Sequence, residues 1–384
     1  MPRDTYNKFS REAHQVKKLT KAFTMLEVTV ACVIVGGLMS VSMPLLARTG
    51  DDSRLTQSLG NLRNLSSACG AYGADYNDRQ YTAVPDESGM YGDGIAGACS
   101  GITAKQCIPQ MILGWDAGGG LWGYWIKGTP ERCASWPGNC GNFAFYAPSN
   151  LWDGSWVGSW RLSNCKAFNS YVGGKFYDKV FWAPKDSATY DPIKKYFDTA
   201  VEFSGGISDI TLPTYCWSPA AMWAPDVLAW SRRKGNGKDA TVGVEPTKAT
   251  MPGSFKSPGA GLAQYPALKW RMWEHQWLQG IEGEPFNPGF ETPTPWLYNQ
   301  GAASAPAVMC FDGHTQVAKL ESVRRDQASA LSTAAPLYFV GGNTTRSYYT
   351  SIARDAAAKG SDACNAGILT VDGILGRDML HVGD

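Results

Sequence analysis

The strongest pattern of hydrophobic positions lies near the N-terminus. An apolar run extends over 25 residues from Phe23 to Ala47, and Glu27 is its single charged residue. At about 1.5 Å per residue, a helix of this length covers the hydrocarbon core of a bilayer, roughly 30 Å thick. Apolar residues then continue at the spacing of one helix face: Leu55, Leu59, Leu62, Leu65, Cys69, Tyr72 and Tyr76. The pattern predicts one helix over residues 24–77, apolar all round at first and amphipathic later.

Two features distinguish this run from a secretory signal peptide. A signal peptide has an apolar stretch of about 7–15 residues that ends in a small-residue cleavage site, whereas this run is longer and continues into a helix face. Residues 1–22 contain six Lys/Arg and two Asp/Glu, a net charge of +4. A basic block before an apolar segment places its N-terminal side in the cytoplasm. We therefore expect one membrane-spanning helix followed by an exported region.

The pattern changes after Asn77, where turn-forming residues replace the helical periodicity. Aromatic residues set among Gly and Pro predict many short strands and long loops. One hairpin is expected at residues 307–320, where Asp312-Gly313 suits a tight primed turn. The expected fold class is α+β, with a long N-terminal helix packed on a mainly antiparallel sheet that carries large loops.

The segment around the start of the apolar run carries a family resemblance. Lys21-Ala22-Phe23-Thr24-Met25-Leu26-Glu27 resembles the processing site of type IV pilins and type II secretion pseudopilins. The resemblance implies that a prepilin peptidase cuts after Ala22, where the family usually has Gly, and that the new N-terminal Phe23 is N-methylated. It also implies that Glu27 pairs with the N-terminal amine of a neighbouring subunit and that Pro44 kinks the helix. An unpaired carboxylate is costly in hydrocarbon, so Glu27 needs such a partner.

A second, shorter segment also resembles a known group of proteins. Phe311-Asp312-Gly313-His314 is similar to the Phe-x-Asp-Gly-x-Val ending of large prepilin-like proteins that are abundant in planctomycetes. Those proteins often place a His ten residues before the Asp, where this chain has Ala302. The expected role of the segment is a hairpin turn, which any β protein can use.

These patterns divide the chain into four expected parts. Residues 1–22 are the leader, 23–47 the transmembrane and assembly helix, 48–77 its amphipathic continuation, and 78–384 an extracytoplasmic globular head. The resemblance implies a structural subunit that leaves the bacterial inner membrane and assembles into a pilus or a type II secretion pseudopilus at the cell surface. Its expected partners are the prepilin peptidase, other pilin or pseudopilin subunits, and the inner membrane before assembly.

An alternative class is a membrane-tethered, glycan-binding adhesin that does not polymerise. Residues 115–160 carry seven Trp, and exposed aromatic rings can stack on sugars. Buried rings instead build a core, in which each buries about 150–250 Å². We expect the core, and the glycan-binding alternative stays open.

Catalysis and cofactor binding have no clear signature in the sequence. Trp273-Glu274-His275 lacks the second His of a zinc-binding helix, and neither a phosphate-binding Gly-rich loop nor a nucleophile elbow is present. Asp312, Asp372 and Asp378 offer oxygen ligands without the spacing of a calcium loop. The net charge of +1 gives no indication of a nucleic-acid partner. We expect no catalytic residue and no cofactor, and we assign no metal site.

The cysteine spacing predicts disulfides, because an exported head would lie in an oxidising compartment. The candidate pairs are Cys99–Cys107, Cys133–Cys140, Cys165–Cys216 and Cys310–Cys364. The first two close short loops, whereas the last two are hypotheses, since spacing does not fix connectivity. Cys32 in the apolar helix should stay reduced, and Cys69 is the expected unpaired thiol among the other nine.

Overall fold

A computed structural model defines the fold of part of the chain. It describes residues 24–81, 112–115, 121–123, 126–128, 163–164, 166–175, 177–198, 213–222, 225, 258–274, 304–333, 335–338, 366–367 and 370–383. Contacts within the chain divide it into two compact units, Met1–Asp52 and Ser53–Asp384.

The described helices are one long helix and several short ones. They are α1 (Met25–Asp75), α2 (Lys166–Asn169), α3 (Ser187–Ile193), α4 (Pro219–Met222) and α5 (Leu320–Ser332). Single 3₁₀ turns occur at Lys179–Phe181, Lys194–Tyr196, Ala260–Leu262 and Gly373–Leu375. The end of α1 is closed by a hydrogen bond of 2.8 Å from the Asp78 N–H to the Gly73 carbonyl. Asn77 and Asp78 both adopt positive φ there, a conformation that is common just past a helix end.

The strands form two antiparallel sheets. The first contains β1 (Ile112–Trp115), β2 (Leu121–Gly123) and β3 (Ile126–Gly128), paired in that order. The second contains β4 (Tyr215–Trp217), β5 (Trp270–Glu274), β6 (Ala307–Cys310) and β7 (Thr315–Val317), also paired in chain order. Helices combined with a four-stranded antiparallel sheet are compatible with the expected α+β class.

Both faces of the four-stranded sheet are covered. Every residue of β4 and β6 is buried, so these strands lack the apolar and polar alternation of a sheet with one solvated face. Tyr215 and Glu274 on one face hydrogen-bond with α1 through Ser58. On the other face Gly367 lies against the Trp270 and Trp273 rings, where a Cβ would be 3.0 Å from an atom of the Trp270 ring. The sheet is therefore the middle layer of the described head.

The face of α1 beyond Ser53 is buried in the head. In the predicted stripe, Leu62, Leu65, Cys69 and Tyr72 are buried, and Leu55 and Leu59 are half-buried. Tyr76 is 41% exposed and stacks on Tyr72 with ring centroids 4.2 Å apart. Tyr72 in turn contacts the rings of Tyr81 and Phe168, which pack with Trp217 of β4. An aromatic cluster thus joins the end of α1 to the sheet edge.

The predicted hairpin is present, but its turn differs from the expected one. β6 and β7 pair antiparallel, with Met309 opposite Thr315. Gly313 has φ of +86°, whereas Asp312 is not among the residues with positive φ, so the primed turn is wrong. The Gly313 N–H donates to the Cys310 carbonyl at 3.0 Å, which is the arrangement of a type I turn followed by a left-handed residue in a three-residue loop. A Cβ on Gly313 would also meet the Ser66 hydroxyl of α1 at 2.9 Å, so packing restricts this position as well.

No helix in the described ranges is both long enough and apolar enough to cross a bilayer.

Candidate functional site

The first turn of α1 contains the residues for which the sequence predicts an assembly role. The Thr24 N–H and hydroxyl both donate to Glu27 Oε2, at 2.8 and 3.0 Å, and the Glu27 N–H donates to the Thr24 hydroxyl at 3.2 Å. This reciprocal pattern is a capping box, which satisfies helix N–H groups that have no partner within the helix. Glu27 therefore has a local role within its own chain that the resemblance did not suggest.

The side chains that follow Glu27 expose a large apolar surface. Met25 is 92% exposed, Val33 70% and Leu38 66%. The other large apolar residues exposed on this part of α1 are Leu26, Val28, Val30, Ile34, Val35 and Met39. Monomeric soluble proteins rarely expose a contiguous apolar patch of this kind without a binding role. We call residues 25–39 the apolar segment.

The remaining residues of the predicted processing and assembly site are described only in part. Ala22 and Phe23 lie outside the described residues. Pro44 lies within α1, but its side chain is outside the described set, so the predicted kink stays a prediction.

A buried polar group joins α1 to the sheet at the other end of the helix. The Ser58 hydroxyl donates to Glu274 Oε1 at 2.8 Å and lies 2.7 Å from the Tyr215 hydroxyl. The Ala307 N–H donates to Glu274 Oε2 at 3.1 Å. Burial raises the pKa of Glu274 above its ordinary value, and the two hydrogen bonds oppose that rise. Burial likewise raises the pKa of Tyr215, so this group favours uncharged side chains.

A second polar group, which we call the lysine network, lies fully inside the head. Lys269 Nζ donates to Asp378 Oδ2 at 2.8 Å, to Thr370 Oγ1 at 2.8 Å and to Ser218 Oγ at 2.9 Å. The Lys269 and Asp378 side chains are both 0% exposed. Burial lowers the pKa of Lys269, and the Asp378 carboxylate opposes that effect. All three ammonium hydrogens thus have acceptors, as a buried charge requires.

The Asp378 carboxylate is equally well bonded. Its Oδ2 also accepts the Trp270 N–H at 2.9 Å, and its Oδ1 accepts the Gly367 N–H at 2.7 Å together with the Thr370 hydroxyl. The lysine network therefore connects Gly367, Thr370 and Asp378 to the beginning of β5. From the sequence, Asp378 was considered only as an oxygen ligand without the spacing of a calcium loop, and this role was missed.

The contact between Ser218 and Lys269 also resembles the pairing of a Ser–Lys nucleophile. Ser218 is 1% exposed, however, and its hydroxyl donates to the Gly367 carbonyl. In the described structure this oxygen is therefore buried and already hydrogen-bonded to Lys269 and Gly367.

The Asp-Gly-His segment is a turn, as the sequence predicts. Asp312 Oδ1 accepts the His314 N–H at 3.1 Å and lies 2.6 Å from His314 Nδ1. A short side chain that bonds the backbone two residues on is a common way to hold a turn. Among the described residues, no cluster of His, Cys, Asp and Glu has the composition of a metal site.

The cysteines lie partly in the described region. Cys32 and Cys69 carry free thiols, as expected, and Cys310 is a free, buried thiol as well. Cys216 is buried in β4. The other predicted disulfide residues lie outside the described ones: Cys99, Cys107, Cys133, Cys140, Cys165 and Cys364. Because Cys310 is a free thiol, the pairing Cys310–Cys364 is not formed in the structure, and the other three proposed pairings stay predictions.

The buried polar groups could not be predicted from the sequence, because their members lie far apart along the chain. Lys269 and Asp378 are 109 residues apart, and Ser58 and Glu274 are 216 apart, so neither pair forms a local motif. The Trp-rich segment 115–160 lies almost wholly outside the described residues, and its role as core or glycan platform stays open.

Comparison of the chain with protein-family models, with curated proteins and with solved structures gave no match.

Proposed function

We propose that this chain is a prepilin-like structural subunit. Its leader is removed after Ala22, Phe23 becomes the N-methylated first residue, and residues 23–47 anchor the subunit in the inner membrane. The same segment then forms the hydrophobic centre of a pilus or type II secretion pseudopilus, with the head at its surface. The prepilin peptidase and other subunits of the filament are its partners.

The observation that carries this proposal is the apolar segment. Its side chains are largely uncovered, since residues such as Met25, Val33 and Leu38 are more than half exposed. A helix that is apolar all round requires cover by lipid or by other helices. A membrane provides that cover before assembly, and the helices of neighbouring subunits provide it afterwards.

The geometry of Glu27 supports a second part of the proposal. Thr24 donates twice to Oε2 of the carboxylate, and Oε1 has no hydrogen bond to any described residue. Oε1 is thus available to a donor from outside the chain. A positively charged N-terminal amine on a neighbouring Phe23 fits that position chemically, because charge-assisted hydrogen bonds are the stronger class. Cleavage creates this amine, so processing and assembly are linked.

Substitutions at Glu27 separate the capping role from the proposed pairing. Gln also serves in a capping box, so Glu27→Gln retains the local bonds and removes only the negative charge. We expect Glu27→Gln and Glu27→Ala to leave similar amounts of subunit in the membrane fraction and to reduce sheared surface filaments strongly. Glu321→Gln, in the first turn of α5 on the exposed surface, is the matched control and should assemble normally. Filaments from Glu27→Gln at the level of the unaltered protein would show that capping alone explains Glu27.

A further inference from the structure

The lysine network places an amine and a carboxyl group in direct contact where water is excluded. Lys269 Nζ and Asp378 Oδ2 are 2.8 Å apart, and both side chains are 0% exposed. We propose that these side chains condense after folding into an intramolecular isopeptide bond, so that the residue before β5 becomes covalently joined to the C-terminal segment. The inference concerns the head alone and does not depend on the proposed assembly.

The surroundings favour a nucleophilic amine. Only the neutral form of lysine attacks a carbonyl carbon, and burial lowers the pKa of Lys269 because it disfavours the charged form. Ser218 and Thr370 accept hydrogen bonds from Nζ at 2.9 and 2.8 Å, which fixes the position of the nitrogen. The amine is therefore held beside the carboxyl group in one orientation.

The carboxyl group is prepared for attack at its other oxygen. Asp378 Oδ1 accepts the Gly367 N–H at 2.7 Å and the Thr370 hydroxyl. If the nitrogen attacks the carboxyl carbon, negative charge develops on this oxygen. Donors placed in advance at such a position stabilise the transition state, as in an oxyanion hole. Gly367 and Thr370 are thus the stabilising residues of the proposed reaction.

The reaction balances without any co-reactant. The Lys269 ammonium first gives one proton to Asp378 Oδ2, which leaves a neutral amine beside a carboxylic acid. Nζ then forms a bond to the carboxyl carbon, and the charge moves to Oδ1. A second proton passes from the nitrogen to Oδ2, the bond from the carbon to Oδ2 breaks, and one water molecule leaves. The carbonyl re-forms at Oδ1, so an ammonium and a carboxylate have become one amide and one water.

The proximity of the Lys269 amine and the Asp378 carboxyl group favours their reaction. Effective concentrations of well-oriented groups in one molecule reach about 10⁵–10⁸ M, and the released water leaves a site that is closed to solvent. The amide would join two positions that are 109 residues apart in the sequence. It would keep residues 269 and 378 joined even when the fold is lost.

Mass spectrometry of the full-length protein tests the proposal directly. After reduction and alkylation of the cysteines, we expect the intact mass to fall short of the sequence mass by one water molecule, once the N-terminus has been identified by peptide mapping. Trypsin should not cut after Lys269, and a branched peptide should join residues 257–271 to 378–384. Lys269→Met should restore the full mass. Asp378→Asn should lose one ammonia and give the same product as the unaltered protein.

Two results would overturn the inference. One is a full intact mass together with an unbranched peptide that begins at residue 378, which would show an ion pair only. The other is a water loss that maps to different residues. Both results are measured on the unaltered protein, so they remain valid even if a variant fails to fold.

Discussion

The apolar segment at the start of α1 and the sheet around β5 contain the same kinds of side chain, but the sheet buries them and the apolar segment exposes them. In the sheet, apolar residues such as Trp270 and Met272 are completely buried, and the charged Lys269 is enclosed with every hydrogen satisfied. In the apolar segment, large hydrophobic side chains face outward and the charged Glu27 lies at the exposed helix start. One region is complete within the chain, whereas the other requires something from outside it.

Under the proposed function, this difference separates the region that stabilises the head from the region that serves assembly. Burial in the sheet contributes to the folding of the head, because each buried apolar side chain is removed from water by its own chain. The apolar segment contributes nothing of that kind until lipid or another helix covers it. Substitutions in the two regions should therefore affect different measurements.

The largest effect is expected in the lysine network. Asp378→Ala leaves Lys269 buried without its carboxylate and also removes the proposed cross-link, so it should destabilise the head by at least about 3–5 kcal/mol, the usual result of removing one partner of a buried ion pair. Urea denaturation followed by Trp fluorescence measures the loss. Replacing both residues by apolar ones, in the double variant Lys269→Met and Asp378→Leu, should recover the part of the loss that comes from the unpaired charge but not the part that comes from the missing cross-link. A single variant as stable as the unaltered protein would mean that the network does not hold the head together.

A pair of identical substitutions on α1 compares the two regions most evenly. Leu65 is 0% exposed and Leu38 is 66% exposed. Leu65→Ala should reduce the free energy of unfolding of the head by about 2–5 kcal/mol, whereas Leu38→Ala should change it by less than about 0.5 kcal/mol. In cells, Leu38→Ala should instead reduce the yield of filaments. Equal effects of the two substitutions on unfolding would contradict the division between the regions.

The smallest effect concerns the Ser58, Tyr215 and Glu274 group beneath α1. Burial holds the pKa of Glu274 above its ordinary value of 4.5, so its contribution to stability is complete below that pH and is lost as the pH rises through the raised pKa. Glu274→Gln cannot ionise and should make the head more stable than the unaltered protein at neutral pH but not at acidic pH. Each tenfold change in the acidity constant corresponds to about 1.4 kcal/mol. Unfolding measured from pH 4 to pH 8 checks this, with Glu321→Gln as the exposed control, and identical pH profiles for Glu274→Gln and the unaltered protein would contradict it.

The sequence was most informative where structure depends on neighbouring residues. The face of α1 follows from apolar residues three and four positions apart, and Leu62, Leu65, Cys69 and Tyr72 are buried as that spacing predicts. The hairpin at Asp312-Gly313 was predicted for the same reason. Its turn type was not, because the loop length depends on the register of β6 against β7 and on the contact between Gly313 and Ser66 of α1.

The buried polar groups show where such prediction stops. Glu274 stands in a run of Trp and Met that gives no indication of its partner Ser58 on a distant helix. Lys269 and Asp378 look like ordinary charged residues of a loop and a C-terminal segment. Only the packing of the segment around Asp378 on the sheet brings them together, and periodicity carries no information about that packing. The capping role of Glu27, by contrast, was readable from Thr24 three residues earlier.

The mature N-terminus is the most direct test of the account. Protein sheared from the cell surface is digested, and its first peptide is sequenced by mass spectrometry. The account predicts a chain that begins at N-methylated Phe23, because the apolar segment functions in assembly only after the leader has been removed. A surface protein that retains Met1, or that begins at another residue, would contradict the account and would favour a tethered protein that does not polymerise.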